Sequence, residues 1–172
     1  MPPTWNIVLV VTIAAAGDLH ASPATRAHVA ESFEALEERV DVVLLAGDLT
    51  THGEPALRRL YAETTVEVEA IRDGLQKVAH CPIRVVLLHY APTSDTLHGE
   101  PEGIWTYLGC DRLATPIAEY RPDVVLHGHA HAGSFEGAIG TTPVYNVAVH
   151  VTGRDFYIFE LEAHAVEVET RA

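Results

Sequence analysis

The chain is poor in positive charge. Its 172 residues carry 11 Lys and Arg against 24 Asp and Glu, a formal net charge of -13 at pH 7 with histidine neutral. Such a balance repels a phosphate backbone, so nucleic acid is not expected as a main partner. Cations held by carboxylates and imidazoles would reverse the field locally, which leaves a small phosphate ester open as a ligand. Cysteine is scarce as well. Cys81 and Cys110 lack CxxC spacing and give no ground for a disulfide, so two reduced, partly buried thiols are expected. The apolar stretch Ile7–Ala16 has no basic region before it, and its ten residues are too few to span a bilayer. A buried first strand explains it, and a cytoplasmic location with no membrane partner is expected. No repeat, low-complexity tract or Pro/Gly/Ser linker divides the sequence. With 48% apolar residues it can bury a core, and residues 1–172 read as one domain.

What is present alternates. Ile7–Ala15, Val42–Ala46, Arg84–Leu88 and Val124–Leu126 are apolar runs of the kind found in buried strands. Between the first two, Ser22 and Pro23 suit a helix start, and Val29, Phe33, Leu36 and Val40 step along one face. Pro55 to Val78 carries a helical pattern, with Leu57, Leu60, Tyr61, Thr64, Val68, Ile71, Leu75 and Val78 on one side. The β-branched run Thr64-Thr65-Val66 within it predicts either one long helix or a break there. Strands alternating with helices predict an α/β fold with a partly parallel central sheet. The tail reads as short closing antiparallel strands, Pro143–Val149, Phe156–Leu161 and Ala165–Val168.

Each strand of the first group ends in polar residues with ligating side chains. They are Asp18 and His20, then Asp48, then His89, then His127, His129 and His131. Ligand sites of open α/β sheets gather at these carboxyl ends. In an extended chain, residues two apart point to one side, so Asp18 with His20, and His129 with His131, are predicted to grip ions in pairs. Carboxylate mixed with imidazole suits Mn, Fe or Zn rather than Ca. A lone Asp-x-His or Gly-Asp is commonplace, but His-Gly-His-x-His has little structural reason to exist.

The set Gly17-Asp18-Leu19-His20, Gly47-Asp48, the lone His89 and Gly128-His129-Ala130-His131 resembles the calcineurin-like metallophosphoesterase family, over about Ile7 to Leu161. Leu88-His89-Tyr90-Ala91-Pro92, Gly99-Glu100-Pro101 and Val144-Tyr145-Asn146-Val147-Ala148 are similar to a bacterial branch of it. The resemblance implies a layered α+β sandwich, here shortened, with helices flanking the sheet. It implies two divalent metals, one held by Asp18, His20, Asp48 and His131, the second by Asp48, His89 and His129. His127 would contact the substrate or support the ligands. The implied reaction is hydrolysis of a phosphomonoester or phosphodiester by metal-activated water.

The sequence departs from that pattern at one place. After Gly-Asp the family carries Gly-Asn-His followed by Asp or Glu, whose Asn binds the second metal and whose His protonates the leaving group. Here only Asn6 and Asn146 are present, in neither such motif, and only about 35 residues separate Asp48 from the strand before His89. A segment near residues 60–65 is therefore expected to be missing, the second metal to bind more weakly, and turnover to be reduced. His52 is the nearest substitute for the lost acid. Unpaired strand edges would favour association with a second copy. Other readings stay open: a metal-binding, catalytically impaired relative, an amide or lactone hydrolase, and an interaction domain with coincidental histidines. The second requires His-x-His after the first strand, where this chain has Asp-x-His. The third requires that no transition metal bind tightly.

Overall fold

The computed structural model describes residues 9–19, 24–36, 39–47 and 57–163, with side chains from residue 64 onward in the last segment. Within these limits the chain is mixed α/β, built on two mixed sheets with helices against them.

In the first sheet β1 (Val10–Gly17) lies between β2 (Val42–Ala46), which runs parallel to it, and β7 (Tyr157–Glu162), which runs antiparallel. Ile13, Ala14, Ala15 and Ala16 are all buried, so β1 is covered on both faces. The second sheet has the order β3-β4-β6-β5, from β3 (Val85–Leu87), β4 (Val124–His127), β5 (Glu136–Ile139) and β6 (Thr142–Asn146). The first three in that order are mutually parallel, and β5 closes the edge antiparallel to β6. Gly140, at φ +62°, begins the two-residue turn between them, a place where glycine avoids strain.

Period-2 alternation along β4 divides the core into two layers. Val124 and Leu126 pack with Ala15, Ala46 and Val147 between the sheets. Val125 points the other way and packs with Val86, Val144, Leu75 and Ile117. Leu75 belongs to α2 (Leu57–Lys77) and Ile117 to α3 (Ala114–Tyr120), so these helices cover the outer face of the second sheet. At its C-terminal end α3 meets Arg121 in the left-handed region, φ 48°.

Several expectations change. One central sheet becomes two, because β1 pairs with β2 on one side and with β7 on the other, and neither β1 nor β2 forms a ladder with β3 or β4. The first strand begins later than Ile7–Ala15 and runs on to Gly17, while residues 7 and 8 lie outside the described residues. The first helix, α1 (Arg26–Glu34), stops short of Val40, and Phe33 meets the ring of Phe156 edge-on at 5.1 Å. Ser22 and Pro23 are outside the described residues. α2 passes through Thr64 and Thr65 without a break; Thr64, Val68 and Leu75 are buried, and tertiary packing overrides the weak propensity there. The tail is not wholly antiparallel, since β6 pairs parallel with β4, and Ala165–Val168 lies outside the described residues. Cys81 and Cys110 are free thiols. No helix among the described residues is long and apolar enough to cross a membrane.

Candidate metal centre

The carboxyl ends of β1, β3, β4 and β6 meet at one corner. Gly17 N–H donates to Val147 O at 2.9 Å, Val147 N–H to His127 O at 2.8 Å, and Gly128 N–H to His89 O at 3.3 Å. These bonds join the two sheets and bring three distant loops together. A Cβ on Gly17 would lie 3.0 Å from Gly128 Cα, so only a side-chain-free strand end lets the loops approach this closely.

Asp18 sits at the centre. Its side chain has 0% relative exposure, and its backbone takes a left-handed φ of 55°. That turn sends its N–H to Ala46 O at 3.0 Å and its Oδ2 to the backbone N–H of His129. The space for the carboxylate is provided by two glycines: a Cβ on either Gly47 or Gly128 would strike it. Gly47 also has φ +73°, unfavourable for any other residue. Substituting Gly128 by alanine is predicted to destabilise the protein by about 2 kcal/mol or more through this overlap, measured by urea unfolding. An unchanged midpoint would contradict the packing described.

Around Asp18 stand three imidazoles. Ligand atoms of Asp18, His89 and His129 all lie within 4.8 Å of one another. Ligands each about 2.0–2.2 Å from a shared ion are spaced on this scale. The His89 and His129 rings are 4.3 Å apart between centroids, and Tyr90 packs edge-on against both, at 4.4 and 5.2 Å. On the other side, His131 Nε2 is 3.8 Å from Asp18 Oδ2; its side chain is 39% exposed, with Nε2 itself buried. A buried carboxylate with imidazoles on two sides has the donor chemistry of a Mn, Fe or Zn site.

Of the residues singled out by sequence, Asp18, His89, His129 and His131 are brought together. His20 and Asp48 lie outside the described residues, as does His52. Two points differ. Asp18 groups with His89 and His129 as well as approaching His131, so it stands between the two expected ligand sets. Pairing through an extended chain also fails: φ is 55° at Asp18 and 69° at His129, so each motif turns instead of running straight.

His127 is the clearer correction. A substrate contact does not fit it, because its ring has 0% exposure and both nitrogens are engaged. Nδ1 lies 2.9 Å from Gly128 O and Nε2 lies 2.8 Å from Thr96 Oγ1. A carbonyl only accepts, so in the neutral ring Nδ1–H donates to Gly128 and Nε2 accepts from the buried Thr96 hydroxyl. Burial lowers the pKa of His127 to about 4, against the opposing Gly128 hydrogen bond and Asp18 charge and with smaller lowering from His129 and His89. The neutral ring thus braces the loop that carries His129.

Two further residues, one read from sequence only as part of a family-like segment and the other as an ordinary surface residue, support the site. Asn146, fully buried, donates from Nδ2 to Ala130 O at 2.7 Å and accepts from Ala148 N–H at 3.2 Å. A lone polar residue closing an apolar strand was the available signal. His150 stacks on His131 with centroids 4.3 Å apart and planes 14° from parallel, a contact no sequence spacing announces. Elsewhere, His28 pairs with Asp155 at 2.8 Å on the surface, and Arg154 lies over the Tyr157 ring, in keeping with ordinary surface roles for both.

No protein-family model matches the chain, and neither the curated proteins nor the solved structures yield a match, so its function has to be read from this corner's own chemistry.

Proposed function

We propose that the protein is a metal-dependent phosphoesterase that hydrolyses a small phosphomonoester or phosphodiester at the corner around Asp18. One observation carries the reading: Asp18, His89 and His129, from loops far apart in sequence, present their ligand atoms within 4.8 Å of one another. Asp18 and the imidazoles of His89, His129 and His131 would hold the cation, with His20 and Asp48 as the expected remaining ligands. When bound, a divalent cation there lowers the pKa of water and polarises a phosphoryl oxygen.

The chain's own residues prepare this. The His129 N–H fixes one oxygen of Asp18, so the carboxylate is oriented before any ion arrives. His127 and Asn146 hold the loop backbone around His129 from below. Tyr90 packs on two of the imidazoles and limits their rotation. Stacking on His150 restricts the ring of His131. Cations also reverse the local field of a chain whose net charge is -13, which an anionic ester otherwise meets as repulsion.

The Gly-Asn-His motif of the resembling family is missing, and with it the leaving-group acid. Such an acid contributes roughly a hundredfold to ten-thousandfold. With manganese added, a 4-nitrophenyl ester, which needs no protonation, is therefore expected to be cleaved at least about a hundredfold faster than an alkyl ester. Equal rates would mean that another group supplies the proton; no cleavage of either by metal-loaded protein would remove the hydrolase reading. The second reading, a metal-binding protein without turnover, is favoured by that same missing motif. Cation uptake without cleavage is the result it requires.

A further inference from the structure

We infer that the alcohol part of the ester is a flat aromatic group, and that it sits in the apolar hollow between α2 and the end of β3. The inference rests on the phosphoesterase reading and adds the substrate class. The hollow has a volume of about 210 Å³ and is walled by His89 and Tyr90 on one side, Ile71 of α2 on another, and Leu88 and Leu113 between them. His89 is thus shared: it belongs to the ligand cluster and also forms a wall of the hollow. A group attached to a phosphate held at the cluster has this hollow beside it. Apart from the exposed Glu67 of α2, its lining is aliphatic and aromatic, as at ligand sites for apolar groups, and its volume suits one or two fused rings. A larger hollow of about 460 Å³ beside Trp105 and Arg112 includes none of the candidate metal ligands, so nothing couples it to the reacting phosphate.

Two positions allow the hollow to be filled without replacing a member of the cluster. Ala70, exposed on α2, and Leu87, 37% exposed on β3, both line it, and neither belongs to the ligand set. The experiment measures binding of 2-naphthylphosphonate and methylphosphonate to the manganese-loaded protein and to its Ala70→Trp and Leu87→Trp variants. The wild-type protein is expected to bind the naphthyl compound roughly tenfold tighter or more, from the added apolar area buried. Each variant is expected to lose most of that advantage, with methylphosphonate affinity and manganese content unchanged. Equal affinities in the wild type, or an advantage that survives both variants, would overturn the inference. Binding of 2-naphthol, followed by its fluorescence, reads the hollow without phosphate or metal. A protein that binds 2-naphthol in this variant-sensitive way yet takes up no manganese would sink the phosphoesterase reading and leave the hollow standing. Manganese uptake and ester cleavage with no naphthyl preference would do the reverse.

Discussion

Replacing Asp18 by asparagine is expected to abolish tight cation binding while leaving the protein folded. The two roles available to Asp18 diverge under this substitution. As a bracket for the loop, it accepts the backbone N–H of His129, and an asparagine oxygen can accept the same bond. As a ligand, it supplies the one described negative charge within a cluster whose other members are imidazoles. Removing that charge takes away most of the attraction for a divalent ion. The expected outcome is metal content below about a tenth of an equivalent, a loss of at least about a hundredfold in affinity, and ester cleavage lost with it. The unfolding midpoint should move little, because the amide fits the same space between Gly47 and Gly128. If the variant kept its metal, Asp18 would be a bracket alone. If it unfolded, the charge would be serving the loop and not an ion.

The second large effect is on stability in mild acid. His127 is wholly buried as the neutral ring, and burial is the main cause that lowers its pKa to about 4. In the unfolded chain the ring takes up a proton near pH 6.5. Between these values the unfolded state binds more protons than the folded one, so stability falls as the pH falls. The contribution is fully present above about pH 6.5 and fully lost below about pH 4, on the order of 3 kcal/mol across the window. Urea unfolding from pH 7.5 to pH 4, with a chelator present to remove any effect of metal, measures it. His127→Gln, whose side chain does not titrate, should show a shallower slope than the wild type by about that amount. Parallel slopes would show that His127 carries no such penalty. The cost lies in burying the charge: the Gly128 carbonyl accepts from Nδ1–H in either form, and the Thr96 hydroxyl, 3.3 Å from Thr93 O, has another acceptor to turn to.

How far such a corner can be anticipated depends on which interactions are local. The candidate ligands were legible because each follows an apolar run; Asp18, His89 and His129 do converge. The bounds of β2, Val42–Ala46, were readable from a short run bounded by polar residues, but its expected burial was not met: Val42 and Val43 are 40% and 37% exposed at the outer edge of the first sheet. α2 was readable as a helical face, while its continuity through Thr64 and Thr65 depended on what that face packs against. β5 (Glu136–Ile139) escaped notice because Glu-Gly-Ala-Ile has little β propensity and is held as a strand by its turn and its pairing with β6. The division into two sheets rests on β1 pairing with β7, a contact between the two ends of the described chain. No local signal specifies it.

The departures within the site have equally physical causes. Left-handed backbone at Asp18 and His129 breaks the extended-chain geometry on which the paired-ligand expectation stood. His127 was legible in principle. It lies two residues beyond Val125, on the same face of β4, and that face is fully buried, so the period of the strand already directs its ring inward.

The most direct measurement is the metal content of the purified wild-type protein after incubation with manganese, zinc or iron and removal of the excess. At least one tightly held equivalent per chain is predicted, falling away in the Asp18→Asn variant. Wild-type protein that retains no transition metal under any of these conditions would contradict the account at its root.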